Sequence, residues 1–294
     1  MPTGPRAPKF PPGLALLLAI AAVSTGAVFV RLAAAPPLVV AFWRCALATA
    51  LLFALVGRQC RAEWATLSRS QARLVIATGL ALALHFATWI SSLSYTSVAS
   101  SIVLVNTTPL WVALASPFVT ADRVRPLTWI ALVVSLVGCV VIGAGDFELS
   151  GRALLGDALA LAGALLSAVY MLAGRRLRQH LTLGPYVIAC YGAAAIFLLL
   201  FTLVAGQNVV DVSAPTFGWL LCLALVPQVI GHSSYNYALG YVSAALTSIA
   251  TLGESVGATL LAWWFLGERP PDQTLLGGVA VIVGMLIAMR SERT

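Results

Sequence analysis

Charged side chains are scarce in this sequence. Only 9% of its 294 residues are Asp, Glu, Lys or Arg, against roughly a quarter in an ordinary soluble domain. Hydrophobic residues make up 60%, and the mean hydropathy is +0.96. This composition excludes a soluble globular chain and indicates an integral membrane protein.

Several functional signatures are also missing. No G-x-x-x-x-G-K-[ST] segment is present, so we expect no nucleotide cofactor and no ATP-driven step. The five cysteines are odd in number and lack the spacing of a zinc or disulfide framework, so no metal is expected. The net charge of +7 does not come with an aromatic-interleaved basic face, which argues against nucleic acid as a partner.

Ten apolar runs follow one another along the chain, each long enough to cross a hydrocarbon core about 30 Å thick. Strands of a membrane barrel would alternate in polarity, and these runs do not. We therefore predict an all-α integral membrane protein with ten transmembrane helices. The runs are Gly13–Ala33, Leu38–Val56, Leu74–Leu93, Val98–Val119, Leu127–Gly145, Leu154–Ala173, Tyr186–Ala205, Thr216–Leu239, Val242–Leu266 and Gln273–Met289.

The basic residues predict the orientation in the membrane. With ten spans, ends and loops on the amino-terminal side carry 13 Lys and Arg residues, including Arg6, whereas the other side carries only Arg31, Arg152 and Arg269. The positive-inside rule then places both termini in the cytoplasm. The first run resembles a secretory signal, but it exceeds the usual apolar length of about 7 to 15 residues, so we predict a permanent helix.

The two halves of the chain repeat each other. A shift of 146 residues places "LSYTSVAS" from Leu93 on "LGYVSAAL" from Leu239, and Gly138 on Gly284. We interpret this as two five-helix repeats, residues 13–145 and 152–290. Because five is odd, the second repeat enters the membrane from the opposite side, which gives an inverted repeat around a pseudo-twofold axis. Transporters typically have this architecture, with the substrate near the midplane between the halves.

Three segments resemble the EamA-type members of the drug/metabolite transporter superfamily: "PPLVVAFWRCALA" from Pro36, "NTTPLWVAL" from Asn106 and "GERPPDQTLLGGVAVIVGMLI" from Gly267. The resemblance covers nearly the whole chain. It implies a basket of helices one to four and six to nine around a central cavity, with helices five and ten outside. The cavity residues resemble most those of the bacterial YddG-like aromatic amino-acid exporters.

Polar residues inside the third and eighth runs share one helical face. His85 and Trp89 are four residues apart, and Gln228 is followed by His232, Tyr235 and Asn236 at helical spacing. In the repeat Phe86 corresponds to His232, and Trp89 to Tyr235. We expect the two faces to meet across the pseudo-twofold and to bind substrate through His85, Trp89, His232, Tyr235 and Asn236.

The fourth and ninth runs add a second polar set. Hydroxyl groups in membrane helices more often bond their own helix or a neighbouring helix than a ligand, so a structural role stands beside the binding role. The substrate-binding candidates here are Asn106, Trp111 and Ser255; Thr107, Thr108, Thr247, Ser248 and Thr251 belong to the same set, and Trp43, Tyr170 and Tyr191 are further lining candidates.

Ser255 stands in a literal G-x-S-x-G pattern, from Gly253 to Gly257. A nucleophile elbow needs a strand, a strained turn and then a helix, whereas Ser255 is predicted in the middle of an apolar helix. An intramembrane serine hydrolase, with His85, His180 or His232 as base, remains the alternative of a different class. No oxyanion hole or orienting acid is marked, so we do not expect an enzyme.

Glu254 and Arg44 are ionisable groups at membrane depth, which are functional by default. Glu254 would bind a substrate ammonium or titrate during transport; a helix-packing role, with Arg44 as partner, stands beside this reading. In EamA-like sequences a proline often follows this glutamate. Ser255 replaces it here, which puts a break in the ninth helix in doubt.

A cavity with few charges, two histidines and several aromatic rings suits a small amphipathic solute. Arg44 alone is too little for a phosphate carrier. We therefore predict a permease of the bacterial cytoplasmic membrane that exports neutral or aromatic amino acids and related metabolites by alternating access. Its partners would be the small-molecule substrate and the lipid bilayer, and a monomer would suffice. Export of other metabolites or drugs is the alternative within the superfamily.

Overall fold

The structure is a computed structural model that describes residues 7–120, 122–143, 151–267, 269 and 273–293. Within these residues it contains helices and no strand. Nine of the described helices are long and apolar enough to cross a membrane, and Pro126–Ile142 is a shorter apolar helix. Arg6, the end of the fifth run at Gly145 and the loop that follows it lie outside the described residues.

We number the spans in chain order. Span 1 is Pro12–Ala33, span 2 is Pro37–Ala65, span 3 is Arg69–Ser92, span 4 is Val98–Val119, span 5 is Pro126–Gly143, span 6 is Gly151–Arg178, span 7 is Leu183–Val204, span 8 is Ala214–Ala238, span 9 is Ala244–Leu266 and span 10 is Thr274–Arg293.

Span 2 is longer than the sequence predicted. Its helix continues nine residues past Val56 through a polar stretch that we had expected to be loop. Arg, Gln, Ala and Glu are good helix formers, and no proline interrupts them, so the helix extends beyond its apolar part. It ends before Ser68, whose hydroxyl caps span 3 in a capping box with Gln71.

Three spans are interrupted near their middle. Span 1 breaks at Ser24 and Thr25, span 4 at Asn106 and Thr107, and span 9 at Leu252. In span 4, Pro109 has no N–H to offer the carbonyl of Val105, and the Thr108 hydroxyl donates to that carbonyl instead, at 2.7 Å. The break therefore leaves no unpaired carbonyl at Val105.

The break in span 9 occurs without a proline. It gives the helices Ala244–Thr251 and Gly253–Leu266. Gly257 lies against the break of span 1: a Cβ atom on Gly257 would be 2.7 Å from the Ser24 Cβ. The interruption is limited to Leu252, whose backbone keeps right-handed helical dihedral angles (φ -61°, ψ -26°), so span 9 continues in nearly the same winding where Ser255 replaces the proline.

Span 8 changes its winding. A π-helix, Ala224–His232, joins the α-helices Ala214–Leu223 and Ser233–Ala238. Pro227 lies inside the π-helical turn, where the backbone already departs from the usual hydrogen-bond ladder. The wider turn sets the direction in which His232 leaves the helix.

Spans 5 and 10 pack tightly on each other. A Cβ atom on Gly138 would be 2.6 Å from the Gly277 carbonyl oxygen, and one on its repeat mate Gly284 would be 2.7 Å from the Ala131 carbonyl oxygen. Gly277 and Ala131 are also 146 residues apart. The contact is therefore the same when the two repeats are exchanged, as a twofold axis between the spans requires.

The remaining spans surround a central cavity. Span 3 packs against spans 6 and 7, span 2 against span 7, span 1 against span 8, and span 4 against spans 6 and 9. Spans 1, 3, 4, 6, 8 and 9 supply the side chains that line the cavity. Within the described residues spans 5 and 10 contribute none, and neither do spans 2 and 7, which the resemblance had placed around the cavity. Spans 5 and 10 pack mainly on each other, whereas spans 2 and 7 pack on each other and on span 3, behind the lining.

Candidate functional site

The cavity between the repeats has a volume of about 70 Å³, enough for a handful of water molecules. An aromatic amino acid would need the walls to separate. The described residues that line it are Val23, Ala27, His85, Phe86, Trp89, Ile102, Val105, Asn106, Thr108, Ser167, Tyr170, Met171, His232, Tyr235, Asn236, Leu239, Thr251, Glu254 and Ala258.

His85 and Trp89 form one wall, from span 3. Their rings are nearly parallel, with centroids 6.2 Å apart. The Nδ1 atom of His85 lies 2.8 Å from the Gly163 carbonyl oxygen of span 6. Since a carbonyl can only accept, Nδ1 carries a hydrogen, and in the neutral ring Nε2 is left as the acceptor. This bond fixes the imidazole and joins the two repeats.

His232 and Tyr235 form the opposite wall, from span 8. The His232 ring meets Phe86 edge to face at 5.3 Å and Tyr235 at 6.4 Å. Phe86 and His232 are repeat mates, so the pseudo-twofold passes between them. No hydrogen bond to His232 is found within the described part of the chain, which leaves both ring nitrogens for a solute.

Glu254 is the only carboxylic acid among the described lining residues. It is half-buried and forms no ion pair with Arg44 at the 4.0 Å limit. Tyr235 lines the same cavity, and its buried hydroxyl interacts with the Glu254 carboxyl group, although no described residue lies within hydrogen-bond distance of it. The packing role that paired Glu254 with Arg44 therefore has no ion pair to support it.

Asn236 lines the cavity and is fully buried. Its Nδ2 atom donates to the hydroxyl oxygens of Tyr170, at 2.6 Å, and Tyr191, at 3.0 Å. The Tyr191 hydroxyl lies 3.3 Å from the Ser233 hydroxyl. Tyr170 reaches the lining and Tyr191 does not. This network holds spans 6, 7 and 8 together at the cavity.

Ser255 lies behind the lining. Its hydroxyl accepts a hydrogen bond of 2.6 Å from the Asn106 Nδ2 and is 3.2 Å from the Cys139 sulfur. Asn106 lines the cavity, whereas Ser255 does not. None of the hydrogen bonds to Ser255 involves a histidine. The serine thus joins spans 4, 5 and 9, a structural role, and lacks the base that a nucleophile needs.

Trp111 and Arg44 are the other predicted site residues outside the lining. Trp111 follows the break of span 4 and packs, half-buried, against the hydrophobic core. Arg44 is fully buried, with its Nε donating to the Gln228 Oε1 at 2.7 Å. Trp43 is also directed away, since its indole N–H donates to the Val209 carbonyl.

Sequence reasoning missed Phe86, Ser167 and Met171. Phe86 and Met171 are apolar and so give no polar signal inside a membrane helix. Ser167 does give one, since it precedes Tyr170 by three residues and shares its helical face. Together these residues make the cavity a set of rings, hydroxyls and amides around one carboxyl group.

Metal binding finds no support in this arrangement. Within the described ranges no three His, Cys, Asp or Glu side chains come together. His85 and His232 face the same cavity, but Glu254 does not join them in a ligand cluster.

A model of the EamA-like transporter family matches residues 12–144 and, again, residues 154–290. The two matches cover most of the chain. The fold of this family is an inverted repeat of membrane helices, so the predicted all-α fold of two inverted five-helix repeats is confirmed.

Curated relatives are similar over most of their length. An uncharacterized transporter of Archaeoglobus fulgidus is 27% identical over 95% of this chain and 96% of its own. The pseudopaline exporter CntI of Pseudomonas aeruginosa is 25% identical over 88% of each chain. A solved crystal structure superposes with a TM-score of 0.79 at 20% identity, over 96% of this chain and 97% of the other, which supports the fold alone.

Proposed function

Because the chain belongs to the EamA-like transporter family and its cavity holds one carboxyl group among aromatic rings, we propose that this membrane transporter exports neutral or aromatic amino acids and related small metabolites. The observation that best supports the proposal is the position of the Glu254 carboxyl group in the cavity lining. A carboxylate in a chamber with no Lys or Arg in its described lining suits a substrate that brings its own ammonium group.

The aromatic walls support the same substrate class. Trp89, Phe86 and Tyr235 offer ring faces and edges to an apolar or aromatic side chain, and such ring pairs contribute about 0.5–1.5 kcal/mol beyond burial. His85 presents Nε2 as an acceptor, and Asn106 an amide. A phosphorylated substrate would instead need several cations in the lining.

We propose alternating access in which the repeats, residues 13–145 and 152–290, rock about the cavity. Hydrogen bonds cross between the repeats near the cavity, among them those of His85 to Gly163, Thr108 to Ala164, Asn106 to Ser255 and Arg44 to Gln228. They would break and reform in each cycle. The location is the bacterial inner membrane with both termini cytoplasmic, and one chain suffices because both halves of the site lie in it.

Counterflow into proteoliposomes tests the proposal. The purified protein is reconstituted alone, and labelled tryptophan, phenylalanine, threonine and alanine are supplied outside vesicles loaded with the unlabelled solute. We expect saturable uptake of at least one amino acid, absent from protein-free liposomes. Failure of all four would overturn the amino-acid assignment.

Export of another metabolite is the second candidate, and one observation favours it: a relative at 25% identity is named a pseudopaline exporter. The same vesicles loaded with pseudopaline decide between the two substrates. An intramembrane hydrolase gains no support from Ser255, whose partners are Asn106 and Cys139. We therefore propose that the chain is a transporter without catalytic activity.

A further inference from the structure

Among the described residues, several buried side chains in or next to the cavity have a polar atom without a hydrogen-bond partner, including Tyr235 and Asn236. Three of these side chains lie together and have unpartnered nitrogen atoms: Arg44 with both terminal nitrogens, Gln228 with Nε2 and Trp89 with Nε1. Arg44 and Gln228 are fully buried, and Trp89 is 8% exposed. We call these three residues the donor cluster.

Every free atom of the donor cluster is a hydrogen-bond donor. Guanidinium and indole groups can only donate. The orientation of the Gln228 amide follows from its partner: the Arg44 Nε must donate, so the amide oxygen faces it at 2.7 Å and the NH₂ group is left free. The donor cluster can therefore bind a group that accepts several hydrogen bonds.

The Arg44 guanidinium is not in contact with a described carboxylate, although its charge interacts at longer range with that of Glu254. Among the residues that the structure describes, no carboxylate lies within 4.0 Å of its guanidinium. The Phe86 ring lies 4.1 Å from Arg44 Cζ, and this contact offsets part of the desolvation. A ring does not replace an anion, because a buried charge is costly until it is paired and hydrogen-bonded.

Trp89 brings the donor cluster to the cavity, and Arg44 lies behind the rings of Phe86 and Trp89. Trp89 and Phe86 both line the cavity, and the Arg44 Cζ lies 5.9 Å from the Trp89 ring. Glu254 lines the same cavity from span 9. The carboxyl group of Glu254, from the second repeat, and the cationic group of Arg44, from the first repeat, thus lie on two sides of one chamber.

We propose that Arg44, Gln228 and Trp89 form the subsite that receives the carboxylate of the substrate, once the Phe86 ring moves aside. This rests on the proposed function and deepens it: Glu254 takes the ammonium group and the donor cluster takes the carboxylate. The planar fork of arginine matches a carboxylate, and a single cation suits a monoanion better than a phosphate dianion.

Two half-ligands test the subsite on the purified full-length protein by titration calorimetry. The compound 3-phenylpropionate has the carboxylate without the ammonium, and phenethylamine has the ammonium without the carboxylate. We expect R44Q to weaken 3-phenylpropionate binding by about tenfold or more, since a hydrogen bond to a charged group contributes at least that much, and to leave phenethylamine unchanged.

A matched control is Arg31, which is exposed and bonds the Thr96 carbonyl. R31Q removes the same charge and should leave both affinities unchanged. Q228E places a carboxylate beside Arg44 in almost the same volume, so it should occupy the subsite internally, abolish 3-phenylpropionate binding and raise thermal stability. W89F keeps a ring but removes the indole N–H, and should weaken 3-phenylpropionate by about threefold.

The outcomes separate the subsite from the proposed function. If 3-phenylpropionate binds equally to the wild type, R44Q and Q228E, or not at all to the wild type, the subsite is overturned. If sodium chloride displaces 3-phenylpropionate when both are present at equal concentration, the site binds any anion and the carboxylate assignment is overturned. If 3-phenylpropionate binding depends on Arg44 while counterflow of all four amino acids fails, the subsite stands and the amino-acid assignment falls.

Discussion

The pair of spans 5 and 10 and the central cavity use the two repeats in different ways. In the pair, repeat mates do the same work: Gly138 and Gly284 each let the opposite backbone approach. In the cavity, mates differ, since Phe86 faces His232 and Thr108 corresponds to Glu254. The duplication therefore supplies a symmetric scaffold, while the chemistry of the cavity is divided between the halves.

Substitution of Glu254, on the cavity side of this comparison, should lower the transport rate more than any other substitution proposed here. We expect E254Q to lower amino-acid counterflow by about tenfold or more, because a charge-assisted hydrogen bond to the ammonium is lost. Initial rates below saturation are the measurement. The mate variant T108V, which removes no charge, should lower the rate by less than about threefold; equal losses in the two variants would contradict the division of roles.

Glycine exchange tests the symmetric side. G138A and G284A should each destabilise the protein by about 1–3 kcal/mol, because a Cβ atom overlaps the opposite backbone in both. Thermal unfolding in detergent measures this. G218A, where a Cβ atom meets nothing within 4 Å, is the control and should cause no loss. Clearly unequal losses for the two mates would speak against a symmetric contact.

The two histidines provide a finer contrast. H85F removes the bond to Gly163 and should cost about 1 kcal/mol of stability. H232F removes a ring with no hydrogen bond in the described protein, so its stability should stay near that of the wild type while counterflow falls several-fold. Unfolding temperature and counterflow rate are measured on both variants, and a stability loss in H232F alone would reverse the assignment.

Trp111 should give the smallest effect. It packs outside the cavity lining, and its indole nitrogen has no partner in the protein. We expect W111F to leave counterflow within about twofold of the wild type. A larger loss would place Trp111 in the substrate path after all.

Much of the scaffold could be predicted from the sequence, because the lengths of the hydrophobic runs indicate the spans and the spacing of glycines reveals the 146-residue repeat. The break in span 4 follows from Pro109. The interruption at Leu252 could not be predicted from the sequence, because no proline marks it. It lies near Gly257, which packs against the interrupted middle of span 1 at Ser24. The π-helical turn of span 8 is likewise hidden, although Pro227 lies within it.

Placement in the site was predictable for most of the polar candidates, including His232 and Tyr235 at the irregular turn of span 8. The spacing of His85 and Trp89 in the uninterrupted span 3 brought both to the cavity lining. Trp111 follows the break of span 4, where the helical face is no longer continuous with that of Asn106. Arg44 was recognisable as unusual, but its partner Gln228 belongs to another span, and only the packing of spans 2 and 8 brings them together.

The contact between spans 5 and 10 also has a consequence for the order of events during biosynthesis. Gly138 and Gly284 are 146 residues apart, and a ribosome adds about 5–20 residues per second. The face of span 5 that carries Ala131 and Gly138, here called the small-residue stripe, therefore remains uncovered in the bilayer for roughly 7–30 s before span 10 is synthesised. During that interval the stripe is open to other nascent helices, so span 10 acts as the closing step of assembly, and a chain that stops before it leaves a surface for membrane quality control.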